Sequence, residues 1–228
     1  MAEKRYFEYG DSEISYLKSK DPALGKAIDE IGHVYKEVIP DIFMALVNSI
    51  IGQQISTKAQ DTIWLRFLDM FTPATPEYIA SLPVETIQTC GISMKKALYI
   101  HEIATSVLDG SLDLEKLQAM SDEEVSKRLS QIRGVGVWTA EMLMIFSMQR
   151  NDVISSGDMA IIRGLRMLYR HREITPQLFA KYKKRYSPYA SIASFYLWQI
   201  SHGACEGYVD LAPKHEARKK VNDDKDKG

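Results

Sequence analysis

The sequence predicts an all-α fold. Three observations carry that expectation. Apolar residues recur at helical rather than alternating spacing along most of the 228 residues. Ser, Asp or Pro stands at the head of one apolar stretch after another, where helices begin. No convincing period-two run or Asn-Gly hairpin lies between those stretches.

The elements follow in order. Asp21-Pro22 supplies a cap and a proline for the first helical position, and that helix runs to Ile31. Asp41 to Ile51 is apolar and helical until Gly52 breaks it, and Ser56 caps the next helix, through Trp64 to about Met70. Short helices through Tyr78 and Ile87 end near Gly91. Ser93 opens a helix to Leu108, stopped by Asp109-Gly110. Ser121 and Glu124 form a capping box, with Val125, Leu129 and Ile132 at helical spacing behind it. After the tight Gly134-Val135-Gly136 turn comes Trp138–Met148, apolar almost all round and expected to be buried. Helices from Asp158 to Tyr169, from Pro176 to about Arg185 and from Pro188 to His202 complete the fold. The charged, apolar-poor residues 214–228 are expected to form a frayed or disordered tail.

Composition narrows the function classes. With 45% hydrophobic residues the chain can bury a core as one unit or two lobes. Its two cysteines, Cys90 and Cys205, suit buried thiols in a reducing compartment and cannot build a four-cysteine iron–sulfur site. No run approaches membrane-spanning length and the Met1-Ala-Glu-Lys-Arg start is not a secretory signal, so an intracellular protein without membrane contact is expected. The five histidines share no metal-ligand spacing, and Walker-type loops and GxSxG elbows are missing. Net charge is −1, but residues 159–220 hold twelve Lys or Arg against four Asp or Glu. A basic C-terminal half fits a wall that faces phosphate.

The segment Leu129-Ser-Gln-Ile-Arg-Gly-Val-Gly-Val-Trp-Thr-Ala-Glu141 is the most informative in the chain. Gly134 and Gly136 permit dihedrals and close approaches denied to other residues. A hairpin of exposed amides at a helix N-terminus is an anion site, and a DNA phosphate is the obvious anion. Asp158 follows Trp138 by twenty residues and opens a new helix.

Ile132-Arg-Gly-Val-Gly-Val-Trp-Thr-Ala140, joined to Asp158 at that spacing, resembles the helix–hairpin–helix DNA glycosylases named for their hairpin and Gly/Pro…Asp motif. The resemblance extends from about Ile42 to Gly203. It implies two helical lobes around a central cleft that receives one extruded nucleotide. N-terminal helices 1–40 then pack with the C-terminal lobe 153–213, which carries the catalytic Asp158, while 41–152 forms the hairpin lobe. Gly134, Val135 and Gly136 would meet the DNA backbone.

Position 138 decides the reaction type. Relatives that also nick the strand place a lysine there as a Schiff-base nucleophile, whereas Trp138 has no amine, which makes water the nucleophile. Tryptophan here resembles the alkylbase branch, the 3-methyladenine DNA glycosylases. Ser49-Ile-Ile-Gly-Gln-Gln-Ile-Ser56 resembles the wedge loop of that branch, with Ile51 entering the gap left by the flipped nucleotide and Gln53 and Gln54 near the orphaned base. Core packing for Ile51 and capping of the Gly52 break for the glutamines are the competing readings. Trp138, Trp198, Met142 and Tyr189 are the expected pocket residues, Trp198 stacking on a cationic alkylated purine. Met142 stands where some relatives have tyrosine, so the lesion range stays open.

The resemblance implies damaged double-stranded DNA as partner; no cofactor or metal is expected, a monomer is the default with oligomeric state open, and a monovalent cation at the hairpin carbonyls is left open. Bacterial or archaeal cytoplasm, or a eukaryotic nucleus, is the matching compartment. Two alternatives remain at this point: a glycosylase for another lesion class, and a non-catalytic helix–hairpin–helix DNA-binding module.

Overall fold

Thirteen helices and one short ribbon make up the described residues, 4–213, of the computed structural model. The tail expected over 214–228 lies outside them. Helix α3 (Ile42–Gly52) is the hub of one lobe. It packs on α4 (Thr57–Met70), α7 (Met94–Leu108) and α10 (Val137–Phe146). The short α5 (Pro76–Ser81) and α6 (Val84–Gln88) lie against α7, and α9 (Asp122–Leu129) lies against α10.

The second lobe joins the two ends of the chain. Helices α1 (Asp11–Lys20) and α2 (Pro22–Ile31) pack with α11 (Met159–Tyr169), α12 (Pro176–Tyr186) and α13 (Ala190–Ser201). Every residue from Ala190 to Trp198 is buried because α13 lies between α2 and α11, which explains its lack of a polar face. Gly164 sets the α11–α13 approach: a Cβ built there would lie 2.3 Å from the Leu197 carbonyl oxygen. Backbone cannot swing aside as a side chain can. Gly164→Ala is therefore expected to cost about 1–3 kcal/mol. Thermal denaturation should show a drop of roughly 2–4 °C per kcal/mol; an unchanged melting temperature would refute the close approach.

A buried polar cluster ties α2 to α11 and α12. Asp21 is 1% exposed; it accepts from Leu24 N (2.9 Å), Tyr169 Oη (2.5 Å) and Arg185 (2.7 Å). The Tyr169 and Tyr186 hydroxyls lie 2.6 Å apart, and the Tyr169 ring stacks on Tyr182 at 4.1 Å. Burial pushes the Tyr169 and Tyr186 phenols far above their ordinary range.

Three elements were not legible from the pattern. In α1 only Leu17 is buried, and in α8 (Leu114–Ala119) only Leu117 is, so neither shows a periodic apolar face. The antiparallel ribbon β1 (Arg5–Tyr6) with β2 (Glu37–Val38) has two residues a side, too short for alternation to register. The last helix begins at Ala190 rather than Pro188, with Asp152 Oδ1 accepting from Ala190 N and Oδ2 from Ser187 Oγ. Asp152 is thus a cap held across the chain.

Candidate active site

The hairpin is built by two helices with opposite ends exposed to it. Helix α9 starts on the full Ser121–Glu124 capping box, and the turn after it closes through Val135 N to Ile132 O at 3.0 Å. Gly134 takes φ +85°, and a Cβ there would meet the Tyr99 ring at 2.3 Å, so glycine is required on both counts. Gly136 is the N-cap of α10 and gives it no side-chain cap. Nothing lies within 4 Å of where its Cβ would be. The first-turn amides of α10 therefore open to solvent beside exposed Gly136, Val137 and Trp138.

Trp138, 46% exposed, joins the hairpin to Asp158. Its indole Nε1–H donates to Asp158 Oδ2 at 3.0 Å. The other oxygen, Oδ1, accepts from Ala160 N (2.9 Å) and Ile161 N (3.0 Å) as the N-cap of α11. Both acceptor positions of Oδ1 are thus filled, while Oδ2 keeps one for a water or a substrate atom. Asp158 is only 8% exposed, so that remaining position is nearly dry.

Beside Trp138 opens a cavity of about 270 Å³. Met142, Leu143 and Phe146 give it an apolar wall from α10, and Asn48, Gln53 and Gln60 supply polar groups opposite. Glu37 and Ile39, from the segment joining the lobes, complete its rim. Phe146 carries the wall back into an aromatic layer, stacked on Trp198 at 5.7 Å and on Phe195 at 6.2 Å.

Several expected site residues stand elsewhere. Ile51 is completely buried in the core, so it cannot enter DNA from this position; the exposed apolar residue of that loop is Ile55. Gln53 Nε2 donates to Gly134 O at 2.6 Å, pinning the loop after α3 to the hairpin, whereas Gln54 is exposed at φ +57°. Trp198 is outside the cavity wall, 8% exposed, with the Lys36 ammonium 5.4 Å from its ring centroid. Burial lowers the Lys36 pKa. Tyr189 is also outside: it precedes α13 at the end remote from Trp198 and meets Tyr16 edge-on at 5.2 Å. Val135 is buried beneath the turn, which leaves its backbone rather than its side chain to face outward.

Two basic side chains are occupied within the protein. Lys96 Nζ donates to the Ile51 and Gln53 carbonyls at 2.9 and 2.6 Å, closing the C-terminus of α3. Arg185 is taken by Asp21. The hairpin carbonyls of Ile132 and Gly134, candidates for a cation, each accept a protein donor. Among the described residues no cluster of His, Cys, Asp or Glu is arranged to hold a metal, and no helix is long and apolar enough to cross a membrane. Cys90 and Cys205 are free and buried.

Two neighbours of Asp158 went unnoticed in the sequence. Glu141, one turn beyond Trp138, is half-buried, and Ser155 is fully buried. A carboxylate inside an otherwise apolar helix was the available signal.

The chain resembles known proteins over most of its length. It is 34% identical over 161 residues to DNA-3-methyladenine glycosylase 1 of Schizosaccharomyces pombe, covering 68% of this chain and 71% of that protein. With DNA-3-methyladenine glycosylase of Saccharomyces cerevisiae it shares 28% identity, over 86% of this chain and 81% of the relative. Its structure is similar to the crystal structure of DNA-3-methyladenine glycosidase from Bacillus halodurans, with TM-score 0.79, 34% identity and coverage of 91% and 97%. The Schizosaccharomyces pombe 3-methyladenine DNA glycosylase in complex with abasic DNA gives TM-score 0.72 at 29% identity, over 83% of this chain and 96% of that one. Residues 47–188 match the model of the HhH-GPD superfamily base excision DNA repair protein, and the chain belongs to that superfamily.

Proposed function

We propose that this protein is a monofunctional DNA glycosylase that hydrolyses the N-glycosidic bond of alkylated bases of the 3-methyladenine and 7-methylguanine type. The observation that carries the reading is the Trp138–Asp158 hydrogen bond. An indole occupies the hairpin position that would hold an amine in a strand-nicking enzyme, and it aims a carboxylate whose one open acceptor position suits water. The relatives' names support alkylated bases.

The reaction begins by extruding the damaged nucleotide, since the bond is out of reach in a stacked duplex. Ile55 and Gln54, the exposed tip of the loop after α3, are placed to fill the gap, in the role first given to Ile51. The base enters the Trp138–Met142–Phe146 cavity. Asp158 then stabilises the positive charge that develops on the sugar and orients the attacking water. Cationic alkylated purines leave readily, so no general acid is needed. The product is an abasic site in an intact strand. This chemistry needs no cofactor and puts the protein with the genome, inside the cell; a monomer suffices for it.

A panel of duplexes carrying methylated, deaminated and oxidised bases tests the reading. Release of 3-methyladenine or 7-methylguanine alone is expected, with no borohydride-trapped adduct. Release of only 8-oxoguanine or uracil, or efficient trapping, would overturn it. Gly136 offers a separate check: a bulky residue fits the open space there but shields the α10 amides. Gly136→Leu should weaken binding to damaged and undamaged duplexes alike, by about tenfold, the worth of one charge-assisted hydrogen bond. A changed lesion ranking at unchanged affinity would contradict the phosphate assignment.

A further inference from the structure

The tip of the loop after α3 and the Gly134–Gly136 hairpin come from remote parts of the chain, yet one face of α7 holds both. Lys96, in the first turn of α7, donates its ammonium to the Ile51 carbonyl at 2.9 Å and to the Gln53 carbonyl at 2.6 Å. Tyr99, three residues further and on the same face, lies under Gly134, where a Cβ would meet its ring at 2.3 Å. Gln53 closes the triangle, its Nε2 donating to Gly134 O at 2.6 Å. Lys96 is poorly placed for α7 itself, because a cation in the first turn opposes the helix dipole. What it gains lies at the other helix. The last carbonyls of α3 lack intrahelical partners, and a cation beside them is favourable. These bonds fix the backbone just before the tip. Gln54 follows at φ +57°, a left-handed conformation that a residue with a side chain keeps only where its neighbours impose it. Ile55 is then presented 37% exposed, and Ser56 anchors the far side as the cap of α4.

Resting on the glycosylase reading, we propose that Lys96 is a positioning residue for base extrusion, tethering the Gln54–Ile55 tip at a fixed distance from the hairpin. It acts through the Gln53 carbonyl, and Gln53 acts through Gly134. With the tether intact, Ile55 enters the duplex in register with the backbone that the hairpin amides hold. With it cut, both turns still reach DNA, but out of register. The cost then falls on pushing a paired base out of the stack. The chemical step is spared, because Asp158 is held separately by Trp138 and by the first-turn amides of α11.

The experiment is single-turnover base release by the full chain from two duplexes. In one, 7-methylguanine is paired with cytosine; in the other it faces an abasic site, so no pairing has to be broken. Lys96→Met keeps the stem and removes the donors. It should slow release from the paired duplex roughly tenfold to a hundredfold, as misplacement of a working group does, and leave release from the unpaired one close to the wild-type rate. Ile55→Ala should show the same split. The double variant should be no slower on the paired duplex than the slower single one, because both changes disable one device. A lysine that only supported the fold would slow both duplexes alike. Equal losses on the two duplexes, or losses that multiply in the double variant, would overturn the proposal. Should Lys96→Met fail to fold, Gln53→Met, which cuts the bond to Gly134 O, decides by the same split. Should the wild type release no base from either duplex, the glycosylase reading fails, and 2-aminopurine set beside the 7-methylguanine still reads extrusion by its fluorescence. Brightening with the wild type that is lost in Lys96→Met and in Ile55→Ala would uphold the tether. Undiminished brightening in Lys96→Met, or none in the wild type, would sink it.

Discussion

Base release should fall about a hundredfold to a thousandfold when Asp158 is replaced by asparagine, the loss seen when one preorganised group facing a developing charge is removed. Asparagine preserves much of the local structure. Its amide oxygen can still accept from Ala160 N and Ile161 N, so α11 keeps its cap. What changes is the side facing Trp138. The indole N–H now meets an amide NH₂ instead of Oδ2, and the negative charge that would face the sugar cation is gone. The effect should therefore appear in the chemical step and leave affinity for an abasic-site duplex largely intact. Equal losses of release and binding, with a lowered melting temperature, would instead make Asp158 a structural cap.

The largest stability effect is expected at Asp21. Alanine there removes the α2 cap and the carboxylate that accepts from Tyr169 Oη and Arg185, leaving Tyr169 Oη with Tyr186 as its remaining partner. A buried pair broken from one side usually costs 3–5 kcal/mol, but Arg185 is 33% exposed and can turn to water. We expect about 3 kcal/mol, most of it from the lost cap and the lost buried hydrogen bond from Tyr169. Urea denaturation measures it. A midpoint within error of the wild type would mean that the cluster does not hold α2 to α11 and α12. Base release at a temperature where both proteins are folded should change little, because the cluster meets α11 at Tyr169, its last residue, while Asp158 caps the opposite end and is held by Trp138.

The sequence by itself determined the helices that carry their own signals. Ser56, Ser93, Ser121 and Asp158 each cap the helix they were expected to open, because capping joins residues two or three positions apart. The hairpin glycines and the twenty-residue step from Trp138 to Asp158 were legible for the same reason: each is a fixed interval along the chain. Only the tertiary structure decided which apolar residues face the cleft. The sequence offered both a wedge and a core role for Ile51 and a pocket role for Trp198, but Ile51 and Trp198 turn into the core while Phe146 reaches the cavity. Lys96 is bonded to the end of α3 and Gln53 to the hairpin, partners 43 and 81 residues away. Side-chain environment is set by elements brought together from remote parts of the chain. No local spacing encodes which of two apolar faces will meet the other lobe, or which polar group will find its partner there.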